Sequence, residues 1–375
     1  MAENDAGIKR AIVTIKVFGV GGGGNNVLKR MAESNFLDVE LVAINTDAKQ
    51  LERLEGLNIK TIQIGEALTK GRGTGGNPVF GEAAAKNDEA KIRDAMIGAD
   101  LIFITAAMGA GVGTGASPVV ARIAKELGVL SIGVVTVPFT FEGQRKRKVA
   151  NEGILKMQSQ MDALIAVQND NLLKLPENRT MSMVDAFKCA DEVLKQAIRC
   201  VAEMILTTGV VNVDFADVTT IFRQSESSDA LLGIGISDHS AILAVKAAFS
   251  SPLIDKSING ARGIILNITA NEELPLYDVN EATQYIFDNA DPNANIIFGT
   301  VIDNEIGDTI QATIIATDFA DSMALKAPLP ETPAAQETVQ QGFTLDTPTF
   351  MVKKPQEDRS SFALPAFRLT DGNDD

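Results

Sequence analysis

The sequence contains very few of the side chains that most often serve as nucleophiles, general bases or metal ligands. There is one histidine, His239, and the two cysteines, Cys189 and Cys200, lie eleven residues apart in a helical pattern. A histidine-rich zinc site needs several histidines, a Ser-His-Asp triad could draw only on His239, and two thiols cannot build a disulfide framework. Chemistry must therefore use carboxylates, amides and backbone groups, and we predict no metal site built from protein ligands.

The chain is also short of positive charge and of long apolar runs. Its 34 basic and 49 acidic side chains give a net charge of −15. A nucleic-acid-binding protein needs an excess of Lys and Arg, and a membrane span needs about 18 consecutive apolar residues, which are absent. The first ten residues carry Glu3 and Asp5 and no apolar stretch, so they do not form a secretory signal. We expect a cytoplasmic protein without a nucleic acid partner and without direct membrane insertion.

Short apolar segments rich in β-branched residues alternate with helical patterns through the first half of the chain. A chain of 375 residues is long enough for two domains. Strands are predicted at residues 14–20, 39–45, 100–106, 131–137 and 163–167. Strands that alternate with helices predict an α/β domain with a mostly parallel sheet covered on both faces.

A long amphipathic segment divides this part from the rest. Ser182 followed by Asp185 predicts a helix start, and apolar residues at helical spacing continue to about Leu206. Strands at 263–270, 295–303 and 309–317, with gaps of hairpin length, then predict an α+β domain. Six of the thirteen prolines follow between Pro328 and Pro365 without periodicity, which predicts disorder. The predicted parts are a flexible N-terminus (1–12), a parallel-sheet domain (13–181), a central helix (182–208), an α+β domain (209–319), a disordered linker (320–360) and a terminal peptide (361–375).

A glycine-rich segment, GVGGGG at residues 19–24, lies between the first predicted strand and a helix. Such a turn exposes backbone N–H groups at a helix start and can bind phosphate. It formally satisfies G-x-G-x-x-G, and Asp47, 23 residues after Gly24, lies where a dinucleotide enzyme has its ribose-binding carboxylate. Taken alone, the segment is compatible with an NAD(P)-binding Rossmann oxidoreductase, or with a tight turn that binds nothing.

A second glycine-rich segment, GAGVGTG at residues 109–115, also follows a predicted strand and precedes an apolar helix. Two such turns could face one polyphosphate, whereas an NAD enzyme needs only one. The second turn therefore favours a nucleoside triphosphate, with a mobile turn without ligand as the alternative. Neither segment is followed by a Walker A lysine, which excludes a P-loop enzyme.

Five short motifs occur in an order that resembles the FtsZ family, the bacterial homologues of tubulin. They are GVGGGGNN and GAGVGTGASP at the glycine turns, NTDA at 45–48, FEGQRKRK at 141–148 and NVDFADV at 212–218. The likeness extends from about residue 8 to 320, and LPAF at 364–367 is similar to the family's adaptor-binding peptide. It implies a Rossmann-like parallel-sheet GTPase domain of α/β class, a long central helix, a smaller α+β domain and a disordered tail.

The resemblance also implies a guanine nucleotide site. The two glycine turns match phosphate and guanosine loops, Glu142 and Lys146 match ribose and nucleotide contacts, and Phe187 matches a side chain stacked on the base. An ionised Asp191 can accept hydrogen bonds from the N1–H and N2–H₂ of guanine, which adenine cannot offer, so GTP is favoured over ATP. The predicted residues that bind GTP or GDP are Gly22, Gly23, Gly24, Asn25, Asn26, Asn45, Gly111, Val112, Gly113, Thr114, Glu142, Lys146, Asn169, Phe187 and Asp191.

Acidic residues suited to hydrolysis lie far along the sequence from both glycine turns. Asn212, Asp214 and Asp217 form N-x-D-x-x-D, and two carboxylates at i and i+3 can share a helix face and polarise a water. Without the resemblance, a helix N-cap is an equally good interpretation. The resemblance implies that this loop acts at the nucleotide of the next subunit in a head-to-tail polymer, so that hydrolysis depends on assembly. Mg²⁺ would bind chiefly through the GTP phosphates and water.

Two further features concern turnover and partners. The family's signature loop reads GGGTGTG, whereas this chain has Ala110 and Val112, and Val112 lacks a hydroxyl for phosphate. Slowed turnover is therefore expected, and a non-hydrolysing structural homologue is an alternative. The apolar segment from Phe362 to Leu369 is the predicted binding site for membrane-tethering adaptors and division regulators at the mid-cell division site.

Overall fold

The computed structural model describes residues 13–34, 36–174, 181–207, 213–225, 227–238, 240–254 and 258–319. All of them belong to one unit of the chain, Met1–Ala327. The predictions for the N-terminus, the linker and the terminal peptide lie outside the described residues, as does the one for Asn212. In the part of the chain that is described, none of the helices has both the length and the apolar character of a membrane span.

The ten strands found in the described residues form one sheet with the order β3-β2-β1-β4-β5-β6-β7-β10-β8-β9. All pairs from β3 to β7 are parallel, and β1 lies between β2 and β4. The connection order changes direction at β1, so the crevice beyond β1 and β4 is the expected ligand position of an open α/β sheet. The strands are β1 (Ile15–Val20), β2 (Glu40–Asn45), β3 (Ile59–Gln63), β4 (Leu101–Ala107), β5 (Leu130–Val137), β6 (Ala163–Gln168), β7 (Asp229–Asp238), β8 (Ala261–Ala270), β9 (Asn295–Ile302) and β10 (Thr309–Phe319).

Helices cover both faces of the parallel strands. Alternate residues of β1 belong to different cores, Val17 to one and Phe18 to the other, because successive strand side chains point to opposite faces. The predicted parallel α/β arrangement is thereby confirmed. The helices are α1 (Gly21–Glu33), α2 (Ala48–Glu52), α3 (Glu66–Thr69), α4 (Pro78–Asn87), α5 (Glu89–Met96), α6 (Gly111–Glu126), α7 (Gln144–Gln158), α8 (Asn169–Leu172), α9 (Met183–Leu206), α10 (Phe215–Gln224), α11 (Ala241–Phe249) and α12 (Leu276–Asn289).

The predicted long central helix is α9. Ser182 caps it, since its Oγ accepts a hydrogen bond from the N–H of Asp185 at 3.1 Å. At 1.5 Å per residue, its 24 residues span roughly 36 Å. It contacts α1 and β5, and Met204 near its end lies next to Gly299 of β9, so it links the parallel part of the sheet to its last part.

Two strands were not predicted. β3 is a short edge strand in which Lys60 and Thr61 are exposed, so its apolar pattern is weak. β7 carries Gly233 and Gly235, which lower strand propensity. The structure requires these glycines because α11 packs directly onto the strand: a Cβ on Gly235 would lie 2.1 Å from the carbonyl oxygen of Ala244.

The hairpins predicted for the last part of the sheet are wrong. β8 and β9 are parallel and are connected through α12, while β10 lies antiparallel between β7 and β8. Of the two gaps, only the one at 304–308 has hairpin length, yet β10 skips β9 and pairs with earlier strands, whereas the gap at 271–294 is long enough to contain α12. The sheet also runs on from the parallel part into this part through two register pairs, Leu164↔Asp229 and Ile165↔Ala230.

Candidate functional site

Most residues singled out in the sequence converge where the parallel strands end. The C-terminal ends of β1, β4, β5 and β6 lie side by side, and the start of α1, the start of α6, a turn at 139–143 and α8 follow them. The start of α9 joins them through Phe187 and Asp191. We call this region the strand-end site, comprising residues 21–26, 111–114, 139–147, 169–170, 187 and 191.

The two glycine turns are in direct contact. β1 ends at Val20, and α1 begins at Gly21, whose φ of +72° lies in the left-handed region that favours glycine. A Cβ on Gly21 would lie 2.7 Å from the backbone nitrogen of Gly113 in the second turn. The expectation that both turns face one ligand therefore has a structural basis, since their backbones form one continuous surface.

Both turns begin helices without a capping side chain. Val20 precedes α1 and Ala110 precedes α6, and neither first turn holds an acidic residue. By contrast, Ser182 and Asp214 cap α9 and α10. Uncapped N–H groups keep their hydrogen-bonding capacity and the positive end of the helix dipole. Two such helix starts in contact with each other form a surface that favours the binding of a ligand with several negative charges.

The remaining residues of the first turn have different surroundings. Gly23 and Gly24 lie against β4, whereas Gly22 faces the side chain of Gln50 and Asn26 is exposed. A cavity of about 280 Å³ opens here, lined by Gly22, Asn25, Asn26, Lys29, Gln50, Arg53 and Leu54. Two cationic side chains thus flank the exposed side of the turn.

Asn25 and Asn45 support the turn from inside. Both are nearly fully buried. With its amide oriented to satisfy both groups, Asn25 donates to the Gly19 carbonyl at 2.8 Å and accepts from Asn45 Nδ2 at 3.1 Å. Asn45 also donates to Gln50 Oε1 at 3.1 Å. In the structure these amides hold the turn against the end of β2, and their contact with a nucleotide stays a prediction.

The second turn is held by its own hydroxyl groups. Thr114 Oγ1 accepts from the N–H of Gly109 at 2.8 Å, and Ser117 donates to the Gly113 carbonyl at 2.6 Å. The side chain of Val112 packs into the apolar core, and its Cβ also lies close to Gly21 of the first turn.

Residues 74–77 cover Gly111, because a Cβ there would lie 2.0 Å from Thr74 Oγ1. Thr74 was not predicted, and its position in a glycine-rich loop offers a weak sequence signal.

Glu142 and Lys146 lie next to the second turn. Glu142 accepts from the Phe139 N–H at 3.0 Å and from Lys146 Nζ at 3.2 Å. Gly109, at φ +90°, brings the second turn so close to α7 that a Cβ there would lie 2.9 Å from the carbonyl oxygen of Lys146. The Lys146 side chain is half exposed, so its ammonium group can reach an anion at the turns.

Three aromatic rings meet at the start of α9. Phe139 and Phe141 stack at 5.0 Å, and Phe187 contacts them edge-on at 5.5 and 6.5 Å. Phe141 and Phe187 are 59 % and 40 % exposed. Large exposed rings of this kind are a platform for a planar ligand. Phe187 was predicted for this role, whereas Phe139 and Phe141 were not.

Asp191 faces Arg30 of α1. Arg30 Nε donates to Asp191 Oδ2 at 3.1 Å, and the carboxylate is 17 % exposed. Burial raises the pKa of Asp191 above its usual 3.8, and Arg30 opposes that shift without cancelling it. Arg30 was not singled out, although its place one helical turn after Asn26 is a usable signal.

Asn169 and Asp170 begin α8. Asn169 is 4 % exposed, and its Oδ1 has no hydrogen bond among the described residues. Asp170 accepts from the Thr140 N–H at 2.8 Å and from Arg147 at 2.7 Å. Burial acts to raise the pKa of Asp170, but the bonds from Thr140 and Arg147 outweigh it and hold the pKa below its usual 3.8. This unpredicted cluster fixes the 139–143 turn to the end of β6.

Asp214 and Asp217 are not part of the strand-end site. Both are exposed, and Asp214 Oδ1 accepts from the Ala216 N–H at 3.0 Å as the N-cap of α10. A Cβ on Gly299 of β9 would lie 2.9 Å from Met204 Sδ, near the end of α9, and 3.8 Å from Val213 Cγ2, just before the acidic pair. Met204 is thirteen residues beyond Asp191, which is roughly 20 Å along a helix. The N-cap interpretation of Asp214 is confirmed, and the acidic pair lies at the far end of α9.

Family models and solved structures match this chain. The model "Tubulin/FtsZ family, GTPase domain" matches residues 14–177, and "FtsZ family, C-terminal domain" matches residues 228–320. An FtsZ dimer from M. jannaschii is 40 % identical, covers 81 % of this chain and 88 % of its own, and superposes with a TM-score of 0.77. CetZ2 from Haloferax volcanii, described as a GTPγS-bound protofilament, is 21 % identical over 82 % of this chain and 93 % of its own, with a TM-score of 0.68. The latter likeness shows the fold alone.

Proposed function

This chain belongs to the tubulin/FtsZ family, and from that membership we propose that it binds GTP in the strand-end site and hydrolyses it with the acidic residues of a second copy. In this proposal, copies join head to tail and the nucleotide lies at each junction. The single observation that carries the proposal is the separation of Asp214 and Asp217 from the two glycine turns.

The phosphate end of GTP fits the paired helix starts. Backbone N–H groups of the two first turns, at 21–23 and at 111–113, have no acceptor within their helices and supply donors, and the two helix dipoles favour negative charge. Lys146 adds a cation at their edge. The phosphates and water would hold Mg²⁺, which neutralises charge that develops on the phosphates.

The guanosine end fits the other half of the site. Phe187 offers an exposed ring face for the base, and Asp191 offers carboxylate oxygens for the N1–H and N2–H₂ of guanine. The buried Oδ1 of Asn169 has no donor among the described residues, and a nucleoside hydroxyl or amino group is a donor that would satisfy it.

Hydrolysis requires a group that orients the attacking water. Among the described residues, neither glycine turn contains a carboxylate. The carboxylates of Asp214 and Asp217 are exposed at the start of α10 and point to a role outside their own chain. A contact between unlike surfaces of two copies is heterologous, and it continues as a filament unless it closes into a ring.

Light scattering and phosphate release, followed together after addition of GTP and Mg²⁺, test the proposal. We expect both signals, with a phosphate release rate per chain that rises with protein concentration. Assembly without phosphate release would instead favour a non-hydrolysing structural homologue, the alternative that Ala110 and Val112 suggest.

The oxidoreductase alternative was based on Asp47, and in the structure this residue has a local capping role. Asp47 caps α2, with Oδ1 accepting from the N–H of Lys49 at 3.1 Å and of Gln50 at 3.4 Å. Competition of NADH and a GTP analogue for the protein separates the two functions, and we expect only the GTP analogue to bind.

We further propose that the segment from Phe362 to Leu369 binds membrane-tethering adaptors and division regulators, and that the filaments act in a division ring at mid-cell. The support is the apolar cluster of this segment in a proline-rich region. A chain that ends at residue 360 should assemble and hydrolyse GTP normally, yet lose mid-cell localisation.

A further inference from the structure

Arg30 holds Asp191 with only one of its donor groups. Its Nε donates to Asp191 Oδ2, while Nη1 and Nη2 have no hydrogen bond to any described residue. Asp191 Oδ1 likewise has no hydrogen-bond donor within the described part of the chain. The Arg30 side chain is 35 % exposed and the Asp191 side chain 17 %. The ion pair therefore presents an unused cationic donor beside an unused anionic acceptor at one wall of the strand-end site.

This pattern is the complement of one edge of guanine. That edge carries the O6 acceptor next to the N1–H and N2–H₂ donors, whereas adenine carries an amino donor next to an N1 acceptor. A guanidinium fork can donate to a carboxylate and to a second acceptor at once, because its donors are fixed in one plane.

We propose that Arg30 is a specificity residue that donates to guanine O6 while it holds Asp191 for N1–H and N2–H₂. This inference rests on the proposed binding of GTP. Adenine would meet a donor with its amino group and a carboxylate with its N1, so both halves of the pair reject it. The pair reads three positions of the base, where Asp191 alone reads two.

The charge balance around Asp191 supports this arrangement. Burial raises the pKa of Asp191 and the neighbouring Glu192 adds to the shift, while Arg30 of α1 lowers it. Without Arg30 the pKa of Asp191 rises further, and a protonated carboxyl has lost one acceptor for guanine. As the pH is lowered, a chain without Arg30 should therefore lose GTP affinity at a higher pH than the wild type does.

The experiment measures the affinity of the full chain for GTP, 6-thio-GTP and ITP by competition with a fluorescent GDP. The nucleotide 6-thio-GTP keeps both donors but replaces O6 by a sulfur, a weaker acceptor, and ITP lacks the 2-amino group. The variants are Arg30→Met and Asp191→Asn. Arg262→Met is the matched control. Arg262 lies on β8, away from the strand-end site, and its Nε pairs with Asp291 at 3.6 Å, in the way that Arg30 pairs with Asp191.

We expect a crossed pattern. Arg30→Met should weaken GTP binding on the order of tenfold, as expected for a lost charged hydrogen bond, and should abolish the preference for GTP over 6-thio-GTP. Asp191→Asn should instead reduce the preference for GTP over ITP. Arg262→Met should match the wild type. The pH at which GTP affinity is half lost should be higher for Arg30→Met.

Equal weakening of all three nucleotides by Arg30→Met would overturn the proposal, since that is the result of a structural role. An unchanged preference for GTP over 6-thio-GTP would do the same. If Arg30→Met does not fold, Arg30→Lys carries the test, because an ammonium group lacks the planar fork and should also lower that preference. A wild type that binds no guanine nucleotide would contradict the proposed function instead.

Discussion

The strand-end site and the start of α10 are both polar regions indicated by the sequence, yet they are built in opposite ways. In the strand-end site, Asn25 and Asn45 are buried and bonded to neighbouring segments, and Asp170 is tied to two partners. At α10, the carboxylates of Asp214 and Asp217 are exposed, and Asp214 bonds only within its own turn among the described residues. The strand-end site is therefore a preorganised binding surface, whereas the acidic residues of α10 have no partner outside their own turn among the described residues.

The largest expected effect comes from removing the charge of Asp214, which tests whether the exposed acidic residues serve hydrolysis and not binding. Asp214→Asn should lower GTP turnover by at least about 100-fold, the usual contribution of a group that activates water, and leave GTP affinity unchanged. Asn caps a helix as well as Asp does, so the variant removes the charge and keeps the start of α10. Turnover and nucleotide affinity are measured on the same preparation.

Asp94→Asn is the matched control, since Asp94 is an exposed acid on α5. It should behave like the wild type. Turnover in Asp214→Asn close to that of Asp94→Asn would remove Asp214 from the mechanism.

A negative charge in the first turn should damage binding alone. Gly22→Asp places a carboxylate beside the uncapped start of α1, where it repels phosphate, and we expect GTP affinity to fall at least about tenfold. The nearest obstacle to a Cβ there is the end of the flexible Gln50 side chain, at 2.7 Å, so the fold should persist.

Gly22→Ala makes the same steric change without the charge and should keep most of the affinity. Binding is compared by titration with a fluorescent nucleotide. Equal losses in Gly22→Asp and Gly22→Ala would mean that space, and not charge, governs this position.

The smallest expected effect is on stability, and it compares a carboxylate that is hydrogen-bonded to a distant segment, Asp170, with one that is exposed, Asp217. Asp170→Asn should cost about 1 kcal/mol of unfolding free energy near neutral pH, because the folded state holds the pKa of Asp170 below 3.8. A depressed pKa contributes stability above the unfolded value and loses it as pH falls through the folded value. The difference between Asp170→Asn and the wild type should therefore shrink below about pH 4.

Asp217→Asn is the counterpart and should cost only a few tenths of a kcal/mol from the dipole of α10. Urea denaturation at several pH values measures both variants. A larger loss for Asp217→Asn than for Asp170→Asn would reverse the contrast.

Local pattern predicted the first part of the fold and the glycine turns well. The apolar run of β1 followed at once by glycines fixes a strand, a turn and a helix start within a few residues, and the Ser182 cap marks α9. What local pattern could not supply was pairing at long range. β10 inserts between β7 and β8, and β7 is masked by glycines that α11 requires.

The same limit applied to the site. The motifs named residues that present backbone or charge to a ligand, such as Gly113 and Asp191. They did not include Arg30 or Thr140, and the motif at 141–148 contains Arg147 without indicating its role, because each of these acts through a partner on a distant segment. Such partners become evident only when the helices and strand ends are placed together.

A mixture of two inactive variants tests the central claim most directly. At a GTP concentration that fills Asp214→Asn but leaves Gly22→Asp largely empty, Gly22→Asp contributes only its acidic residues and Asp214→Asn contributes only its nucleotide turn. In an equal mixture, one contact in four joins an intact turn to an intact acidic group, so we predict about a quarter of the wild-type GTP hydrolysis rate per chain. A rate no greater than the sum of the two variants measured alone would contradict a site shared between two copies.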